Sequence, residues 1–104
     1  MSFFNSQFGK IELTTERKRH IVIRHPELQG HLQKIGKVLQ KPDEIRVSRY
    51  DANVLLFYKY FGKIRGGKYF SVTVKLADRS FVLTAYFTDQ IRAGVLYEKE
   101  KKPS

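Results

Sequence analysis

Apolar and polar positions divide the chain into a helical first half and an extended second half. Over residues 15–24, Thr14 can cap a helix, and Glu16 lies in its first turn, where the helix dipole favours negative charge. Pro26 biases His25 away from helical dihedrals, so this helix should stop at Arg24. Helical spacing puts Arg17, His20 and Arg24 on one side and Ile21, Val22, Lys18 and His25 on another. A second helix is predicted over 28–40, where Leu28, Leu32, Ile35 and Leu39 recur at helical spacing beside Val38. Gly30 and Gly36 weaken it, and Pro42-Asp43 ends it.

The pattern then changes period. Residues 45–50 alternate as a short strand, and 54–61 are almost wholly apolar or aromatic, which suits a central strand. Residues 62–68 form a glycine-containing basic loop. Residues 69–76 and 79–87 predict a hairpin turning at Ala77-Asp78. The implied partners are Lys75–Ser80, Val74–Phe81, Thr73–Val82, Val72–Leu83, Ser71–Thr84, Phe70–Ala85 and Tyr69–Tyr86. One face then carries Val74, Phe81, Val72, Leu83, Phe70 and Ala85 as core. The other carries Tyr69, Ser71, Thr73, Lys75, Ser80, Thr84 and Tyr86, open to solvent or ligand. Residues 88–93 predict a short closing helical turn capped by Thr88. Short links make the four strands antiparallel. The expected fold is α+β: two N-terminal helices packed on a four-stranded antiparallel sheet, with a short C-terminal helical turn. Residues 1–97 read as a single domain and 98–104 as a charged, disordered tail.

Composition narrows the partner. The chain has 104 residues, enough for one core, and 20 Lys+Arg against 10 Asp+Glu give a net charge of +10. Such an excess favours a polyanion, most simply nucleic acid. The absence of cysteine excludes disulfides and thiolate metal sites. The first eight residues carry neither a basic n-region nor a long apolar run, so no signal peptide is expected. No stretch approaches the ~18 apolar residues of a membrane helix. The reading is a cytoplasmic protein without a membrane partner.

His20 and Arg24 carry the candidate chemistry. They stand four apart, one turn apart on one helix face. Histidine exchanges protons near neutral pH, and arginine is a permanent planar cation suited to phosphate. Cleavage of RNA by its own 2′-hydroxyl needs a base, an acid and cations that stabilise the phosphorane. His20 is the first candidate for proton transfer. Arg24 is the first for charge stabilisation, with Lys75 or Lys59 second. Hydroxyls on the open strand face could bind phosphate oxygens, and its tyrosines could stack on unpaired bases. An ordinary solvated sheet face is the competing reading, because Thr and Tyr form strands well anyway. His25 reads more readily as packing against the second helix or holding the Pro26 turn, and His31 as an exposed helix residue. The ten acids show no cluster that would hold paired magnesium ions, and the histidines lack zinc spacing. No cofactor is expected.

A run of short motifs then resembles a known family. The motifs are Leu13-Thr14-x-Glu16-x-x-x-His20-Ile21, Arg24-His25-Pro26-Glu27-Leu28, Pro42-Asp43-x-Ile45, Tyr58-Lys59, Val72-x-Val74-Lys75 and Phe81-x-Leu83-Thr84-Ala85-Tyr86. Together, over residues 9–97, they resemble small bacterial and phage-associated proteins grouped with the barnase–EndoU–colicin–RelE-like nucleases. The resemblance implies a metal-independent ribonuclease fold with its site on the open sheet face beside the first helix. Carried onto this chain, it implies His20, Arg24, His25, Lys59, Lys75, Thr84 and Tyr86 as site residues. Lys18 departs from the pattern, where such proteins often carry an aromatic residue.

The expected function is a metal-independent endoribonuclease working by 2′-hydroxyl transesterification, with a toxin of a toxin–antitoxin pair as one role it would fill. Its catalytic set is His20, Arg24, His25, Lys75, Thr84 and Tyr86, and its substrate-binding set is Lys59, Tyr69, Ser71, Thr73 and Ser80. RNA is the expected partner, together with an acidic antitoxin or immunity protein. The alternatives are a noncatalytic RNA-binding module and an interaction domain for an acidic protein.

Overall fold

The computed structural model describes residues 2–97, and its first helix starts where the cap predicts. Thr14 Oγ1 accepts a hydrogen bond from the Arg17 amide at 3.1 Å, capping α1 (Thr15–Arg24). Ile21 carries α1 onto the core, and Pro26 opens a short 3-10 turn, Pro26–Leu28. The charged tail expected over 98–104 lies outside the described residues.

The second helix is shorter than its apolar period predicts: α2 spans Lys34–Gln40. Gly30 takes a positive φ of 87°, and the backbone between the 3-10 turn and α2 closes in tight three-residue bonds. The His31 amide donates to the Leu28 carbonyl, and the Lys34 amide to that of His31. Leu28, Ile35, Val38 and Leu39 still reach the core from this broken path. His31 is half-buried against the edge of Phe87, with ring centroids 5.4 Å apart, rather than exposed on a helix.

Among the described residues the sheet has seven strands where four were expected. They are β1 (Ser2–Ser6), β2 (Gly9–Leu13), β3 (Glu44–Val47), β4 (Val54–Phe61), β5 (Lys68–Lys75), β6 (Phe81–Thr88) and β7 (Val95–Leu96). Their order is β1-β2-β6-β5-β4-β3-β7. The added N-terminal hairpin turns through Ser6, whose hydroxyl accepts from the Phe8 amide and donates to the Gly9 carbonyl. It buries Ile11 and Leu13 and sets Phe4 against Gly36 of α2. β2 meets β6 in parallel at Glu12 and Phe81, so the sheet is mixed; every other pairing is antiparallel. Residues 88–93 form no helix. The Thr88 hydroxyl instead holds the backbone of Gln90, and the chain runs on to β7 beside β3.

The β5–β6 hairpin keeps its strands but changes its register. Its connection is 76–80 rather than a two-residue turn, closed by the Ser80 hydroxyl on the Ala77 amide and carbonyl. Tyr69 pairs with Thr88, Ser71 with Tyr86 and Thr73 with Thr84. Val74 then pairs with Val82, which leaves Leu83 as the extra residue of a β-bulge. The bulge reverses the faces above it. Val82 enters the core in place of the expected Phe81 and Leu83, while Phe70, Val72, Val74 and Ala85 lie inside as the alternation predicts.

The core fills the space between the helices and one sheet face. The other face is partly covered by its own chain. From β6 to β7, residues 89–94 must cross β5, β4 and β3, and they do so on the side opposite the core, over Tyr58 and Tyr86. Gly94 takes a positive φ of 77° and anchors the far end, its carbonyl accepting from Arg46 at 3.1 Å. Leu56, Tyr58 and Ser71 are therefore buried on the face expected to stay open. Among the described residues no helix is long and apolar enough to cross a membrane.

Candidate active site

The strap leaves one side of this face uncovered, where α1 runs beside β6. β2 bridges β6 only at Phe81, and beyond that point α1 takes the place of a neighbouring strand. Between them lies a groove of about 470 Å³ lined by Arg17, His20, Arg24, His25, Leu83, Thr84 and Tyr86. Each half has a local cause. The spacing of three and four residues along α1 projects Arg17, His20 and Arg24 to one side while Ile21 anchors the other. On β6, strict alternation would place Leu83 and Thr84 on opposite faces. The bulge lets both line the groove, followed by Tyr86.

Two imidazoles stand here in different settings. His20 is exposed on the helix. His25, just past its end, is held: its ring stacks on Tyr86 with centroids 5.8 Å apart and planes 30° apart, and its Nδ1 lies 3.5 Å from Glu27 Oε2. Arg17 is half-buried and Arg24 exposed, and among the described residues no carboxylate forms an ion pair with either. Their charges remain available to an anion in the groove. Beneath the strap, Tyr58 backs the site. Burial, and next the Tyr86 hydroxyl beside it, push the Tyr58 phenol from 10.0 up to about 12. Tyr86 therefore belongs both to the groove and to the covered centre of the sheet.

Five expected catalytic residues meet in this groove: His20, Arg24, His25, Thr84 and Tyr86. Lys75 does not. It lies four residues along β5 from Ser71, the partner of Tyr86, which is about 13 Å at strand rise. Its ammonium bonds Asp51 at 2.5 Å. That bond, and next the Asn53 amide, hold the Asp51 carboxyl below its ordinary range.

The expected substrate-binding residues scatter. Lys59 alternates onto the helix-covered face and donates to the Lys41 carbonyl at the end of α2, 2.9 Å away. Ser80 closes the hairpin turn. Ser71 is fully buried beside Tyr58, its cross-strand neighbour, and away from the groove. Thr73 lies between Leu56 and Thr84 in the sheet, one strand from the groove, and Tyr69 packs edge-on against Tyr60.

Arg17 was absent from the expected set although its place on the His20 face was readable. Leu83 was assigned to the core because nothing in its alternation announces a bulge. Among the described residues no three His, Cys, Asp or Glu side chains gather as a metal-binding group. The fold and groove define a small α+β domain with a cationic cleft at a helix–sheet boundary. No protein-family model, no curated protein and no solved structure matches the chain.

Proposed function

We propose that the protein is a metal-independent endoribonuclease that cleaves RNA through the attack of its own 2′-hydroxyl. The supporting observation is one groove that joins two imidazoles, two arginines without carboxylate partners and the hydroxyls of Thr84 and Tyr86. In this reading a phosphodiester lies between α1 and β6. One imidazole takes the 2′-proton, the 2′-oxygen bonds to phosphorus and the bond to the 5′-oxygen breaks. The other imidazole protonates that leaving oxygen. Arg17 and Arg24 offset the charge of the phosphorane, and Thr84 and Tyr86 donate to its oxygens. The products are a 2′,3′-cyclic phosphate and a free 5′-hydroxyl.

The reading carries the family resemblance with it: a barnase–EndoU–colicin–RelE-like ribonuclease acting in the cytoplasm, as a toxin would. A +10 enzyme of this kind is restrained by an acidic antitoxin or immunity protein seated over the groove.

The test is cleavage of mixed single-stranded RNA in EDTA, with product ends mapped and His20→Ala run in parallel. The expected result is cyclic-phosphate ends from the unaltered protein and a loss of at least ~100-fold in His20→Ala, with RNA affinity retained. Salt-sensitive binding with no cleavage would replace this reading with a noncatalytic RNA-binding module. Binding to an acidic protein that excess RNA does not compete would replace it with an interaction domain.

A further inference from the structure

The strap leaves the same sheet face uncovered at a second place, the end of β4 and β5. Tyr60 and Tyr69 are paired across the strands there, with ring centroids 5.1 Å apart and planes 65° apart. Tyr60 remains 49% exposed although its ring is fixed on several sides. Tyr69 holds one side, and the 62–67 loop curls around the rest. A Cβ at Gly67 would fall 1.8 Å from the Tyr60 hydroxyl, so the loop backbone lies directly on it. Gly67 takes a φ of 111°, a conformation that favours glycine. Arg65 itself is held at a positive φ of 45°, a costly conformation for a residue with a side chain. Ring burial does not explain this loop, since half the ring stays wet. The loop instead presents a part-exposed aromatic surface, and its Lys63 and Arg65 are exposed.

The acids nearby are already engaged. Asp43 accepts the Tyr60 amide at 2.8 Å and lies 3.9 Å from Lys59, and Asp89 is bonded by Lys68. Lys63 and Arg65 keep their charge for an outside anion. Thr88, the partner of Tyr69, lies two residues beyond Tyr86. By strand spacing and rise, Tyr69 is about 8 Å and Tyr60 about 12 Å from Tyr86 along the sheet.

We propose that Tyr60, with Tyr69 behind it and Lys63 and Arg65 beside it, is a second RNA subsite. It stacks an unpaired base of the strand whose phosphodiester lies in the α1–β6 groove. The subsite rests on the ribonuclease reading and gives it a substrate: single-stranded RNA long enough to cover both places.

Binding of end-labelled single-stranded RNA to His20→Ala protein, expected to cut it at least ~100-fold more slowly, tests the subsite by fluorescence anisotropy. A dinucleotide and an octanucleotide are compared. The octanucleotide should bind more tightly. Tyr60→Leu should lower octanucleotide affinity about tenfold, the scale of one lost base stack, and leave the dinucleotide unchanged. Tyr60→Phe, which keeps the ring, should bind as the parent does. Lys63→Gln with Arg65→Gln involves exposed side chains and is independent of how Tyr60→Leu folds. It should weaken octanucleotide binding and flatten its salt dependence by up to about two phosphate contacts. Equal octanucleotide affinity in the parent, Tyr60→Leu and the double variant would overturn the subsite and leave the groove standing. Equal losses on both lengths would overturn it too, as general damage to the face. A parent that binds neither RNA would bring down the ribonuclease reading, and the subsite with it.

Discussion

The groove beside α1 and the strap-covered centre share one sheet face and one chemical vocabulary, yet they do different work. Tyr58, Ser71 and Tyr86 form a single row across β4, β5 and β6. At one end of the row, Tyr86 stacks under His25 and opens into the groove. One and two strands away, Ser71 is 0% and Tyr58 1% exposed beneath the strap. A hydroxyl on a strand opens into a groove or becomes a buried structural group according to what crosses over it. Here six residues between β6 and β7 make that decision, and Tyr86 sits on the boundary.

The largest effect should come from replacing a residue at each end of the comparison. His20→Ala should lose at least ~100-fold in RNA cleavage, the scale of a lost acid or base. Ser71→Ala should leave cleavage unchanged, because its side chain lies buried under the strap and does not line the groove. Equal losses in the two variants, measured as initial rates on one RNA, would remove the distinction between groove and centre.

Next in size is the anchor of the strap. An alanine Cβ at Gly94 would fall 2.6 Å from the Val47 carbonyl oxygen, at a φ of 77°. Gly94→Ala should destabilise the protein by about 1–3 kcal/mol in urea unfolding. It should also expose Tyr58 by lifting the strap. Full stability in this variant would show that the strap is not anchored there.

How much of this was legible depends on whether a signal is local. The cap at Thr14, the stop at Pro26 and the α1 face are local, and the helix matches its prediction residue for residue. β4 likewise announces itself by composition, over Val54–Phe61. The groove's helical half was readable for the same reason. The strand half was readable only at Thr84 and Tyr86, because the Leu83 bulge depends on fitting a five-residue connection to the strand below it. The strap was not readable. Its path from β6 to the far edge is fixed by pairing with β3, a partner more than forty residues earlier in the chain. Lys59 and Lys75 were expected in the site from their charge, from the family resemblance and, for Lys75, from strand alternation; one faces the helices and the other serves Asp51. The N-terminal hairpin is short and polar enough to pass as an unstructured lead-in, although Ile11 and Leu13 bracket Glu12 at strand spacing.

A smaller effect sharpens the boundary at Tyr86. With its phenol pushed up to about 12, Tyr58 should ionise late in an alkaline absorbance titration of the six tyrosines, and Tyr58→Phe should lack that late step. The sign follows from linkage. Above about pH 10 the unfolded chain gives up this proton while the folded chain keeps it, so folding is disfavoured progressively up to about pH 12. Tyr58→Phe should lose less stability over that interval than the parent. In Gly94→Ala the late step should move to lower pH as the strap loosens, and an unchanged titration would separate Tyr58 from the strap.

The smallest effect should fall on Lys75, and it bears on which cations serve the groove. Lys75→Met should leave RNA cleavage unchanged, because Asp51 already holds the ammonium about 13 Å along the strand from the Tyr86 row. What the substitution should change is acid sensitivity. Asp51 is held below its ordinary 3.8 first by its bond to Lys75 and then by the Asn53 amide. The stabilisation from that lowered value is complete above the unfolded carboxyl's pKa and is lost as pH falls through the folded one. Stability curves of parent and Lys75→Met should therefore differ above pH 4 and converge below it. A cleavage loss in Lys75→Met comparable to that in Arg24→Ala would place the lysine in the reaction and extend the site along β5, past the bulge that otherwise ends it.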